Sequence, residues 1–257
     1  MDKLTVVKIG GQVIDDPFKL DTVLHQFVAL EGKKLLVHGG GKKASEMSKR
    51  LGIEPHLIKG RRVTDEKTLE VVTMVYGGLV NKNIVARLQA LKHNALGLSG
   101  ADGNIIPAHK RIHETIDYGF VGDFEVEDIN SALLQNLLDS GITPVFCALT
   151  HDQKGNMLNT NADTLASGIA VSLHSHFEVS LIYCFEKAGV LLDVEDQSSL
   201  VPELSWQYYL QLKEEGIIVD GMIPKLDNAF NALHSGIRVV IKDALNLNNE
   251  IGTTLVA

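Results

Sequence analysis

The sequence predicts an α/β protein built on a mainly parallel sheet. Three observations carry that expectation. Short β-branched apolar runs recur along the chain. Each ends in glycine or small polar residues, and each is followed by a stretch with helical spacing of its apolar side chains. Strand, glycine turn and helix in repeated alternation bring successive strands side by side in one direction. The 257 residues are 45% hydrophobic and 22% charged, which is enough apolar material for a sizeable core.

Taken in order, Leu4–Ile9 reads as the first strand and ends in Gly10 and Gly11. A helix over Phe18–Leu30 and a strand over Lys34–Val37 follow, and the strand runs into His38-Gly39-Gly40-Gly41. Ala44–Leu51 reads as the next helix. Thr64 is the expected N-cap of a long helix that reaches about Lys92, with Asp65 and Glu66 favouring its start. Ala95–Ser99 and Thr143–Leu149 read as strands, Ala162–Leu173 as a helix and Val179–Cys184 as a strand. Pro224–His234 (helix) and Arg238–Ile241 (strand) close the alternation. Asn104–Asp128 is richer in Pro, His, Asp and Gly. It is expected to leave the main sheet as a hairpin of Ile105–Ala108 with Gly119–Val126. With no Ser/Pro-rich linker, repeat or low-complexity tract, any lobes must lie within one compact chain.

Several function classes are disfavoured. A net charge of −8 argues against sequence-independent nucleic-acid binding, yet leaves room for a locally basic pocket. No apolar run approaches the ~18 residues of a membrane span. The start, MDKLTVVKIGG, reads as a strand and a glycine turn, so a cytoplasmic protein is expected. Cys147 and Cys184 lie in apolar runs and read as buried, reduced thiols in strands. His109 and His113 are four apart but lack the acid of a zinc motif, and no metal-ligand set is expected. A G-x-S-x-G nucleophile elbow is missing.

Parallel sheets bind ligands beyond the carboxyl ends of their strands, where this chain carries its glycines and polar groups. Lys8-Ile9-Gly10-Gly11 reads either as an anion nest beside a fixed cation or as a tight turn after a solvated lysine. In His38-Gly39-Gly40-Gly41-Lys42-Lys43, three glycines are costly in backbone entropy unless bare amides at a helix start hold a carboxylate or phosphate. The spacing fits neither a P-loop nor a dinucleotide fingerprint. Ser99-Gly100-Ala101-Asp102-Gly103 is a plain turn or a ligand loop. Gly60-Arg61-Arg62-Val63-Thr64 sets two guanidinium groups before a helix, suited to carboxylates or to solvent. In Asn159-Thr160-Asn161-Ala162-Asp163, Asn161 can cap the following helix. In Asp220-Gly221-Met222-Ile223-Pro224-Lys225, Pro224 suits the first helical position. Lys225 is then unfavourable at a positive helix end, and a bound phosphate would resolve that conflict.

Together and in this order, five segments resemble the amino acid kinase family, most closely its N-acetylglutamate kinases. They are Val6–Gly11, Leu36–Gly41, Gly60–Thr64, Asn159–Asp163 and Asp220–Lys225, and the resemblance extends to the closing Gly252-Thr253-Thr254. It implies a three-layer αβα sandwich with two lobes. Residues 1–173 would bind the acyl amino acid and mediate dimerisation, and residues 174–257 would bind ATP. Lys8 and Lys225 would flank the migrating phosphoryl group, with Asp163 holding the lysines by ion pairing. Gly40 and Gly41 would bring amides to the acyl-glutamate, Arg62 would grip its α-carboxylate, and Asn159 and Asn161 would orient it. Nucleotide contacts are implied for Gly10, Gly11, Glu186, Lys187, Gly189, Leu191, Ile217 and Val219. Magnesium is expected on the ATP phosphates without a protein carboxylate cage. A homodimer is implied, with the long helix after Thr64 at its interface. The arginine-inhibited members carry an additional N-terminal helix. Its absence here leads us to expect a dimer without arginine feedback.

Two departures from the family pattern stand out. Phe185-Glu186 occupies a place where Ser-Asp is common, and Arg61 precedes the substrate-gripping arginine where an apolar residue is usual. An apolar neighbour suits an acetyl methyl, whereas a second arginine suits an extra carboxylate, as in N-succinylglutamate. Both acyl groups stay open on the sequence, as does a solvent-facing Arg61. A catalytically inactive acyl-glutamate or nucleotide sensor is the rival from another class. Carbamate, uridylate, aspartate and glutamate-5 kinases are the rivals within the family.

Overall fold

The computed structural model describes residues 1–58, 60–219 and 222–257. Asp220 and Gly221, part of one predicted site segment, lie outside the described residues. Among the described residues the main sheet has eight strands. They are β1 (Lys3–Ile9), β2 (Lys33–His38), β3 (Ala95–Leu98), β4 (Thr143–Cys147), β5 (Glu178–Phe185), β6 (Glu203–Ser205), β7 (Arg238–Asp243) and β8 (Thr253–Val256). Their order is β6-β8-β7-β5-β1-β2-β4-β3. Every pairing is parallel except that of β7 with β8.

One layer of helices consists of α1 (Gly11–Asp15), α2 (Pro17–Ala29), α3 (Gly41–Arg50) and a long helix over 66–90. That helix begins as α4 (Glu66–Val72), passes through a π-helical segment Thr73–Val80 and ends as α5 (Asn81–Ala90). The opposite layer holds α6 (Ser131–Asp139), α7 (Ala162–Leu173), α8 (Trp206–Glu214) and α9 (Ile223–His234). The layers follow from strand alternation. On β1, Leu4 and Val6 pack with Leu165 and Ile169 of α7, and Val7 and Ile9 pack with Val23 and Phe27 of α2. Lys8 shares the α7 face and is 6% exposed. The predicted α/β sandwich is therefore observed. Residues 1–173 supply β1–β4, residues 174–257 supply β5–β8, and the two groups meet where Lys3–Ile9 pairs with Glu178–Cys184.

Several local expectations need correction. Asp65 caps α4 by accepting from the Thr68 amide at 2.8 Å, while the Thr64 hydroxyl donates to the Arg62 carbonyl. The carboxylate accepts more strongly and sits one residue closer to the helix. The strand expected over Thr143–Leu149 ends at Cys147, and Leu149–His151 pairs antiparallel with Met157–Asn159. The hairpin in the irregular segment pairs His109–Lys110 with Gly122–Asp123. Ile105 and Ile106 are fully buried in the core rather than paired as a strand, because their apolarity serves packing. Cys147 and Cys184 are buried and free, and burial pushes both thiols up to about 12.

Candidate active site

Two cavities open beyond the carboxyl ends of the strands, and one ion pair stands between them. The larger, about 420 Å³, is lined by Gly40, Gly41, Arg61, Arg62, Asn159, Asn161 and Asp163, the predicted substrate residues together with the predicted acid. The smaller, about 280 Å³, is lined by Lys8, Gly10, Gly11, Glu186, Lys187 and Lys225, with Phe185 and Met222 beside them. Lys8 Nζ lies 2.7 Å from Asp163 Oδ1, and both side chains are buried. Of the predicted site residues, Gly189, Leu191, Ile217 and Val219 line neither cavity. A Cβ on Gly189 would lie 2.5 Å from Thr253 Oγ1, Leu191 is buried against Leu200, Ile217 packs on the core and Val219 is exposed.

The glycine loop of the larger cavity is held from below. His38 ends β2, is fully buried, and places Nδ1 2.7 Å from the Gly39 carbonyl. That nitrogen must donate, so Nε2 accepts from Asn81 Nδ2 at 3.0 Å. Burial drives the imidazole pKa down to about 4, and it stays neutral. Gly40 has φ 156°, and a Cβ there would sit 2.9 Å from the Tyr76 ring. No side chain caps the α3 start at Gly40, so its first amides are left for a ligand.

Around that loop the polar groups are partly spent and partly free. Arg62 Nη2 donates to the Gly41 carbonyl at 2.8 Å and to Ser45 Oγ at 2.7 Å. Its Nη1 is buried without a protein partner. Asn159 Nδ2 donates to Thr64 Oγ1 at 3.0 Å. Asn161 Oδ1 accepts from the Asp163 and Thr164 amides and caps α7 as expected, while its residue lines the cavity. Burial raises the Tyr76 hydroxyl pKa, against the pull of Arg62. Arg111, Tyr76 and Ser45 also line this cavity and were not foreseen. Arg111 is bound to Asp123 through Nε at 2.9 Å. Arg61 has no ion pair among the described residues, and burial together with Arg111 lowers its pKa.

In the smaller cavity, Ile223 and not Pro224 opens α9, which puts Lys225 at the third helical position. Burial lowers the Lys225 pKa, Lys8 adds to this, and Asp163 and Glu186 oppose it. Among the described residues no three His, Cys, Asp or Glu side chains converge as a metal set. No described helix is long and apolar enough to cross a membrane.

A cavity lined by Arg61 and Arg62 thus adjoins one lined by Lys8 and Lys225. Solved structures share the fold. A Streptococcus mutans structure matches with TM-score 0.80 at 25% identity, covering 99% of this chain and 98% of its own. The N-acetylglutamate synthase of Neisseria gonorrhoeae, complexed with coenzyme A and N-acetyl-glutamate, matches with TM-score 0.83 at 23% identity over all of this chain and 59% of its own. The model of the amino acid kinase family matches residues 3–243, and the chain belongs to that family. Relatives that match almost the whole chain carry the name acetylglutamate kinase. That of Parabacteroides distasonis is 52% identical over 98% of this chain and 99% of its own. That of Methanopyrus kandleri is 40% identical over 93% and 94% respectively.

Proposed function

We propose that this protein is a cytoplasmic enzyme of arginine synthesis that transfers the γ-phosphoryl group of ATP to the side-chain carboxylate of an N-acyl-L-glutamate. The observation that carries this reading is the buried Lys8–Asp163 pair on the border of the two cavities, with Lys225 also lining the smaller one. In it, residues 1–173 bind the acyl amino acid and residues 174–257 bind ATP. The free Arg62 Nη1 and the α3 amides suit the α-carboxylate, and Asn159 and Asn161 orient the acyl amide. Lys8 and Lys225 neutralise charge on the transferring group from two sides, and Asp163 keeps Lys8 aimed. The acceptor carboxylate is ionised at neutral pH, so no general base is required. Gly10 and Gly11, beside the lysines, suit close approach of phosphate. A magnesium ion carried by the nucleotide phosphates would supply further positive charge, with Glu186 the acid available in that cavity. Trapping the acyl phosphate with hydroxylamine tests the reading. ATP-dependent hydroxamate supports a kinase, and tight binding without turnover supports a sensor.

A specific observation favours an acyl group that carries its own carboxylate. Arg61 lines the acyl-glutamate cavity with no ion pair among the described residues, where Arg111 opposes its charge and Asp123, bound to Arg111, only partly offsets this. A carboxylate from a succinyl group would relieve that repulsion, whereas an acetyl methyl would not. A charge-assisted contact of about 1.5–3 kcal/mol corresponds to roughly 10–200-fold in kcat/KM. Arg61→Ala is expected to lose that factor on N-succinylglutamate and to keep its rate on N-acetylglutamate. An equal effect on both substrates rejects the assignment. The exposed Met74 and Leu79 of the long helix support a homodimer formed along it, which light scattering tests.

A further inference from the structure

The Phe185 ring lies beside both lysines of the smaller cavity. Lys225 Nζ sits 4.4 Å from its centroid and Lys8 Nζ 5.9 Å, both within the ~6 Å reach of a cation–π contact. The ring is anchored. It stacks on Tyr183, with centroids 6.1 Å apart and planes at 22°. Tyr183 is fully buried and donates its hydroxyl to the Asp163 carbonyl at 3.0 Å. One chain of contacts therefore runs from Asp163 through Tyr183 to Phe185 and on to Lys225. Lys8 is paired with Asp163, but Lys225 lies in no ion pair among the described residues.

The two ways of holding a lysine differ in what they leave free. A carboxylate beside Lys225 would neutralise it and occupy its N–H groups. An aromatic face attracts the ammonium through the ring quadrupole and accepts no conventional hydrogen bond. All three N–H donors then remain for phosphoryl oxygens. Most of the stabilisation of phosphoryl transfer is positional and electrostatic, so a lysine held in place but unspent is the useful form.

We propose that Phe185 is a positioning residue of the transfer reaction: its ring face holds Lys225, and more weakly Lys8, toward the transferred group without consuming their donors. This rests on the reading that the two lysines face that group. The charged groups that face Lys225 are Lys8 from β1, Asp163 from α7 and Glu186 just after β5.

Phe185→Leu removes the quadrupole and keeps an apolar side chain. It is expected to lower kcat about tenfold, the size of an exposed-to-buried cation–π contact, with both KM values within about threefold. Because the ring favours the charged ammonium, the alkaline limb of the kcat profile is expected to move to lower pH in this variant. Phe185→Trp is expected to restore both. Nonsense suppression with 3,4,5-trifluorophenylalanine keeps the shape and drains the quadrupole, so it applies even where Phe185→Leu fails to fold. A fall in kcat with an unchanged melting temperature supports the proposal. An unchanged kcat and alkaline limb in the trifluoro enzyme overturns it. Lys225→Met separates the two ideas, because full activity in that variant rejects the lysine assignment itself.

Discussion

In the larger cavity, Arg62, Asn159 and Asn161 are each tied by hydrogen bonds within the protein, and a neutral histidine braces the glycine loop. Beside the smaller cavity, Lys8 is paired with a carboxylate, Lys225 has no ion pair among the described residues, both lie over one aromatic face, and burial works against the charge on Lys225. The first arrangement is set before any ligand arrives, which suits recognition of a small acid with little ordering cost. The second stores uncompensated positive charge that only an incoming anion completes. On the proposed function, recognition and charge stabilisation would be divided between the two sides of the Lys8–Asp163 pair.

The largest effects should come from the pair itself. Asp163→Asn strips the counter-charge from a buried lysine and is expected to cost about 3 kcal/mol of stability, read by urea unfolding. Turnover should fall by about 10²–10³ in that variant and in Lys225→Met, the scale of removing one charge-stabilising group. For Lys225→Met the KM for acyl-glutamate should hold. A matching rise in that KM would dissolve the division between the cavities.

A second break targets recognition alone. Arg62→Lys loses the Nη2 group that binds Gly41 and Ser45 together with the free Nη1 beside it, while leaving one cationic donor. It is expected to raise the acyl-glutamate KM by about 10–100-fold with the ATP KM unchanged. Gly40→Ala pushes a methyl into the Tyr76 ring and should raise the same KM about tenfold, since small-to-large changes cost about 1–3 kcal/mol.

The smallest effect on turnover should come from His38, whose signature is in pH. Its folded pKa, about 4, lies below the ordinary 6.5. The unfolded chain takes up a proton first as pH falls, so the contribution is present above about 6.5 and is lost down to about 4. Wild type should lose about 2 kcal/mol more than His38→Gln between pH 7 and pH 5 in urea melts. Parallel losses in both proteins would show that the imidazole does not brace the loop in its neutral form.

Local chemistry made the framework legible. Apolar runs ending in glycine marked β1, β2 and β3, and Asn161 with the apolar spacing behind it marked α7 from Ala162 to Leu173. The residues around the two lysines and the arginines could be gathered only because five short segments appear in a familiar order. Arg111 carried no such signal. It comes from an irregular hairpin fifty residues after Arg61, and only the folded chain brings it to the same wall. Phe185 was legible as an oddity but not as a neighbour of two ammonium groups, because that contact joins β1, β5 and α9. The π-helical turns at Thr73–Val80 were hidden for a different reason. Gly77 and Gly78 suit many backbones, and packing selects among them.

The seam between β1 and β5 carries one more consequence. Lys3–Ile9 pairs residue for residue with Glu178–Cys184, in the middle of the sheet. Severing the chain near residue 174 would give two fragments, each baring a long inner strand with unmet backbone donors and acceptors. Neither fragment should be soluble alone, yet each is the other's best edge partner. Co-expressed, the fragments should find each other and regain activity, which makes this seam a natural place to build a two-part complementation reporter.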